Sequence, residues 1–154
     1  MYIVGPCRER FHVKTSTGFG KLKWFCHDFE LQTVFNIMKK VSVYIDCIKS
    51  TIDYSIGGNA KENFELIDNA MPNDIWFHID GLPSEHVIAS IPENLDIDRK
   101  KRLKIAKQGA LLCKQHSKYA SQKNVSIVYT EIQNVTKTEV LGQVNVNLSK
   151  VIVI

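Results

Sequence analysis

Residues 74–87 read DIWFHIDGLPSEHV, and the reading of this stretch decides the fold. A period of two puts Ile75, Phe77 and Ile79 on one face of a strand, and Trp76, His78 and Asp80 on the other. The first set is uniformly apolar and belongs to a core. The second set is expected to look outward, toward a groove or solvent. Gly81, Leu82 and Pro83 make a turn, and HVIASI after it forms a second strand, so the stretch closes a hairpin.

The rest of the chain is read outward from this hairpin. VSVYIDCI (41–48) is a strand with β-branched residues on both faces, DYSI follows as strand or bulge, and Gly57-Gly58 is a turn. Asn59 suits the N-cap of a helix over AKENFELIDNAM, with Leu66, Ala70 and Phe64 or Ile67 toward the core and Pro72 ending it. The longest helix runs from Asp96 or Asp98 to Tyr119, and Leu103, Ala106, Ala110 and Cys113 recur along it as a core stripe. Strands NVSIVYTEI (124–132), EVLGQVNVN (139–147) and KVIVI (150–154) complete the chain. Nearer the N-terminus, FHVKT reads as a strand and STGFGK as a turn, while KWFCHDFELQTVFNIMKK fits neither period. The pattern predicts one compact α+β domain over residues 51–154, its sheet mixed or largely antiparallel and packed against one long and one short helix. Residues 1–50 are read as an N-terminal extension, of no assigned role, packed on that domain.

Composition narrows the class. At 154 residues the chain suits one domain with an adequate core. Apolar residues at 44% and charged residues at 23% are those of an ordinary globular protein. No apolar run approaches the roughly 20 residues of a membrane span, and the N-terminal MYIVGPCRERF does not have the form of a secretory signal. Cys7, Cys26, Cys47 and Cys113 form no CxxC pair, which argues against a zinc knuckle and for reduced thiols in a cytoplasmic or nuclear setting.

The net charge of +4 conceals a segregation. Residues 53–98 carry ten acids and one base, whereas residues 99–154 carry eleven bases and two acids. Such asymmetry suits a polyanionic partner on one face; mutual neutralisation of the two segments is the plainer alternative. Lys100, Lys104, Lys107, Lys114 and Lys118 recur at helical spacing. At 100° per residue they fall within a band roughly 80° wide, a lysine ridge beside the apolar stripe.

Three smaller constellations compete for attention. Asn59, Lys61 and Asn63 open a helix behind two glycines, where free amides attract phosphate; GGNAKEN is neither a Walker loop nor GxGxxG, and a capped helix explains it as well. His78, Asp80 and His86 have the HxD…H order of a two-histidine, one-carboxylate metal site, or are two histidines hydrogen-bonded within a hairpin. YTEIQNVTK (129–137), with Tyr129 and Lys137, mixes groups that suit bases and phosphates and equally suit an exposed strand–loop–strand.

Four motifs then fall in a known order: IGGNAKENFEL, NDIWFHIDGLPSEHV, AKQGALLCKQHSK and VSIVYTEIQNVTKT. Over residues 52–146 the chain resembles the NFACT RNA-binding domain, a module of long proteins that act in ribosome-associated quality control. PNDIWFHIDGL is most similar to short stand-alone eukaryotic relatives described as coiled-coil-domain-containing proteins. The resemblance carries over Gly57, Asn59, Ala60, Asn63, Leu66, Trp76, Phe77, His78, Ser84, His86, Val87, Ser117, Lys118, Tyr129, Thr130 and Lys137. The family's P-G-S-H reads Pro83-Ser84-Glu85-His86 here, and its late proline–glycine turn reads Leu141-Gly142, so both loops depart from the pattern.

What the resemblance implies is a non-catalytic module that binds structured RNA (tRNA or rRNA), without cofactor or metal, in the cytoplasm or the nucleus, with the ribosome as a further partner. The expected contacts are Asn59, Lys61, Asn63, His78, His86, the five ridge lysines, Tyr129 and Lys137. A DNA-binding module, a metal-dependent enzyme at His78, Asp80 and His86, and a protein-docking domain are the alternatives.

Overall fold

The computed structural model of the chain describes residues 38–154. The strand read at FHVKT, the turn at STGFGK, Cys7 and Cys26 lie outside them.

Strands β1 (Lys39–Ile45) and β2 (Ser50–Ile56) form an antiparallel hairpin. Its turn ends on Lys49 in the left-handed region, φ 55°. Helix α1 (Ala60–Asp68) follows, then β3 (Ile75–Ile79) and β4 (Val87–Ser90). Helix α2 (Arg99–Gln115) leads to β5 (Ser126–Glu131), and a single 3₁₀ turn leads on to β6 (Val135–Lys137), β7 (Val144–Val146) and β8 (Lys150–Val153). Six strands make one sheet in the order β1-β2-β4-β3-β5-β8, with every pairing antiparallel. β6 and β7 form a separate two-stranded sheet. The expected α+β architecture with one long and one short helix is therefore present. β1 lies before residue 51, so the sheet begins inside the stretch read as an extension.

Each face of the sheet has its own apolar layer. On one face, Ile52, Tyr54, Ile56, Ile75, Phe77 and Ile79 pack against Ile105, Ala106, Ala110 and Cys113 of α2. Removing side chains of this size from water is worth about 1.5–3 kcal/mol each. The contact is closest at Gly109, where a Cβ would lie 2.3 Å from Cζ of Phe77. The buried Tyr54 hydroxyl donates to the Ile105 carbonyl at 3.1 Å, tying β2 to α2. On the other face, Trp76 and Ile88 are covered by Leu66 of α1 and Ile132, with Val135, Val144 and Val146 of the small sheet beside them.

Four expectations are corrected. Trp76 faces a groove but not solvent: it is 3% exposed beneath α1 and the small sheet, because both faces of the main sheet are covered. The stripe of α2 is rotated from the expected one. Leu103 is 44% exposed, while Ile105, Gly109 and Leu112 join Ala106, Ala110 and Cys113 on the buried side. Helix α2 also ends at Gln115, where the Ser117 hydroxyl donates to the Lys114 carbonyl and accepts the Tyr119 N–H. Finally, EVLGQVNVN is not one strand. Gly142 at φ +85° turns the chain, and only Val144–Val146 pairs.

Candidate nucleic-acid interface

The structure divides the expected contact residues into a ridge, a cleft and a remainder. The ridge is the outer side of α2. Asp98 caps the helix by accepting the Lys101 N–H at 2.8 Å. This N–H, helped by the nearby Lys101 and Lys100 charges, holds the Asp98 carboxyl below its ordinary range. Lys100, Lys104 and Lys107 are exposed and lie roughly opposite the buried side at 100° per residue, not beside it. Among the described residues none of these three forms an ion pair. Lys114 is half-buried and donates to the Ile154 carbonyl at 3.1 Å, so its ammonium is already engaged. Arg102, on the sheet side, pairs with Glu131.

The cleft, of about 1040 Å³, lies on the other face of the sheet. Its floor comes from Trp76 and His78 of β3 and from His86 just before β4. Its walls come from the start of α1 (Asn59, Asn63), from residues 80–85 and from the β6–β7 hairpin (Leu141 to Val146). His116, Ser117 and Lys118, at the end of α2, close one side. Ridge and cleft thus lie on opposite sides of the sheet and approach each other only at the C-terminal end of α2.

Local chemistry shapes the floor. The His78 ring stacks on Trp76 with centroids 5.6 Å apart, and His86 meets both edge-on, at 5.1 Å from Trp76 and 5.2 Å from His78. Burial, then the neighbouring His78, pushes the pKa of His86 down to about 3, and burial likewise lowers that of His78. Both imidazoles are neutral near pH 7. Trp76 Nε1 and His86 Nδ1 are buried with no hydrogen-bond partner among the described residues. Such orphans are uncommon in folded proteins, and each costs about 1–3 kcal/mol.

Asn59 and Asn63 are first of all structural. Asn59 accepts the Glu62 N–H at 2.9 Å and donates to its carboxylate, which in turn takes the Gly58 N–H, closing a capping box. Asn63 Oδ1 accepts the His86 N–H at 3.0 Å. Lys61 lies 3.6 Å from Glu65. Lys137 pairs with Asp68, and its ammonium lies 5.2 Å over the Phe64 ring. Tyr129 is on the α2 side of the sheet, stacked on Phe77, and lines a separate cavity of about 340 Å³ with Arg102 and Lys150. His78, Asp80 and His86 are not brought together as a ligand set; no group of three His, Cys, Asp or Glu able to hold a metal occurs among the described residues. The T-shaped packing of the two histidines and the exposure of Asp80 account for this.

His116, Gln143 and Asn145 line the cleft without having been expected there. They come from an α2 terminus and a hairpin that no local pattern connects with residues 74–87. The departure at Leu141-Gly142 was the available signal: a Cβ on Gly142 would lie 2.7 Å from that of Ala60, so this glycine lets the hairpin tip rest on α1.

A six-stranded antiparallel sheet with a basic helix on one face and a polar cleft on the other defines a small α+β binding domain. The chain belongs to the family of the NFACT protein RNA binding domain, whose model matches residues 40–147. RNA binding is the role that membership supports. Coiled-coil domain-containing protein 25 of Danio rerio is 38% identical over 88 residues, 54% of this chain and 40% of that protein. The protein of the same name from Mus musculus is 34% identical over 90 residues, 58% of this chain and 43% of its own length. The match thus spans about two fifths of these relatives. Among solved structures, the C-terminal part of the fibronectin/fibrinogen-binding protein from Streptococcus suis has the same fold. It aligns at TM-score 0.56 and 24% identity over 67% of this chain and 40% of that one.

Proposed function

We propose that the domain binds structured RNA, a tRNA or an rRNA, through the outer side of α2, and serves translation or ribosome quality control in the cytoplasm or nucleus. One observation carries the reading. Lys100, Lys104 and Lys107 stand exposed on one side of a helix with no ion-pair partner among the described residues. Ammonium groups in a row give up little when phosphates replace water and counterions around them. The acidic middle segment, which could have neutralised the ridge, instead takes up Lys61 and Lys137. Among the described residues Cys47 and Cys113 form no disulfide, which suits a reducing compartment. The translation setting rests on the family resemblance.

The test is fluorescence anisotropy with a tRNA and with matched RNA and DNA duplexes. Charge reversal at Lys100, Lys104 and Lys107 together is expected to weaken tRNA binding by at least thirtyfold. Undiminished binding in that triple variant overturns the reading. Equal affinity for the matched DNA moves it to the DNA alternative, because the 2′-hydroxyl then contributes nothing.

A further inference from the structure

Building on the RNA reading, we infer that the cleft is a subsite for an unpaired nucleobase of an RNA whose phosphates lie along α2. Three independent features point there. The cleft is as large as a small-molecule pocket, for which about 300–1,000 Å³ is usual, and it is bounded by Leu82 and Leu141, apolar lips from two different turns. Its floor holds two buried nitrogens, on Trp76 and His86, that have no partner among the described residues. Its lining has side-chain amides of both hydrogen-bonding senses, on Gln143 and Asn145.

Charge selects the ligand class. Asp80 and Glu85 oppose Lys118 in the lining, and the two floor imidazoles are neutral. A phosphate would meet carboxylates there. A neutral heterocycle would meet apolar lips and paired donors and acceptors, as unpaired bases do in RNA-binding proteins. Lys118, whose ammonium lies 5.6 Å over the Tyr119 ring, sits where the end of α2 reaches the cleft. It is placed to hold the phosphate between a base in the cleft and a duplex on the ridge.

The test uses an RNA hairpin that is blunt or carries four unpaired nucleotides at its 3′ end. The wild-type chain is expected to bind the extended hairpin about tenfold more tightly. Asn145→Trp fills the cleft from an exposed strand position without changing charge. It is expected to keep blunt-hairpin binding and lose the tenfold advantage. Should that variant bind neither RNA, the wild-type indole N–H resonance of Trp76 decides: a shift with the extended hairpin only supports the subsite, and no shift overturns it. Equal wild-type affinity for the two hairpins overturns the subsite and leaves the ridge standing. Binding of neither removes both readings. Adenosine monophosphate bound as tightly as the extended hairpin overturns the assignment to RNA.

Discussion

The side-chain oxygen of Asn63 accepts the backbone N–H of His86 at 3.0 Å, across 23 positions of sequence. The Gly57 N–H meets the His86 carbonyl, also at 3.0 Å, and a Cβ on Gly57 would come within 2.5 Å of the same Asn63 oxygen. Gly57, Asn63 and His86 therefore form one joint between the β2–α1 turn, the short helix and the segment leading into β4. Asn63→Ala leaves a buried N–H unpaired and is expected to cost about 1–3 kcal/mol. Gly57→Ala pushes the same oxygen aside and is expected to cost a similar amount. Urea unfolding of both variants measures this; wild-type stability in either would contradict the joint.

Gly109 gives a prediction with an unusual sign. Glycine within a helix is normally the weaker choice, and alanine gains about 0.5–1 kcal/mol. Here the new methyl would fall 2.3 Å from the Phe77 ring in the most closely packed part of the domain. Overpacking of this kind costs about 1–3 kcal/mol, so Gly109→Ala is expected to lower the thermal midpoint despite the better helix propensity. A raised midpoint would show that α2 does not lie so close to β3.

Acid should loosen the domain through its histidines. Burial holds His86 neutral down to about pH 3, whereas its unfolded counterpart takes a proton near pH 6.5. A depressed histidine pKa means that the unfolded state binds more protons between those values. Stability is then full above about pH 6.5 and falls as pH drops below it, by about 1.4 kcal/mol per pH unit for one such group. His78, also lowered by burial, adds in the same direction. Denaturant midpoints from pH 7 to 4.5 should show this slope in the wild-type chain and a shallower one in His86→Asn. Parallel slopes would mean that His86 is not held neutral.

Much of the fold was legible because local chemistry and tertiary demand agree in it. Ile75, Phe77 and Ile79 face the α2 layer as their alternation requires, and Asn59 and Asp98 cap the two helices by accepting N–H groups three residues ahead. The misreadings came from burial on a second face. Trp76 and His78 alternate with a core, which usually marks an outward face, but α1 and the small sheet cover Trp76. Leu103 fits a helical stripe by spacing alone; the rotation of α2 is set instead by how closely Gly109 approaches Phe77. At the site, the ridge was visible as periodicity. The cleft was only half visible, because Gln143, Asn145 and His116 reach it through topology. Nothing in YTEIQNVTK announced that Lys137 pairs with Asp68 or that Tyr129 lies on the far side of the sheet.

The most direct test of the central claim, that lysines along α2 and just past its end, unpaired among the described residues, hold phosphates, is the salt dependence of tRNA affinity. With Lys100, Lys104, Lys107 and Lys118 engaged, log K should fall with log salt at a slope of about −3 to −4. In Lys104→Ala/Lys107→Ala the slope should flatten by about 2, while Lys137→Ala, whose charge Asp68 already takes up, should leave it unchanged. A wild-type slope near zero, or one that is the same in the Lys104/Lys107 variant, would contradict the account.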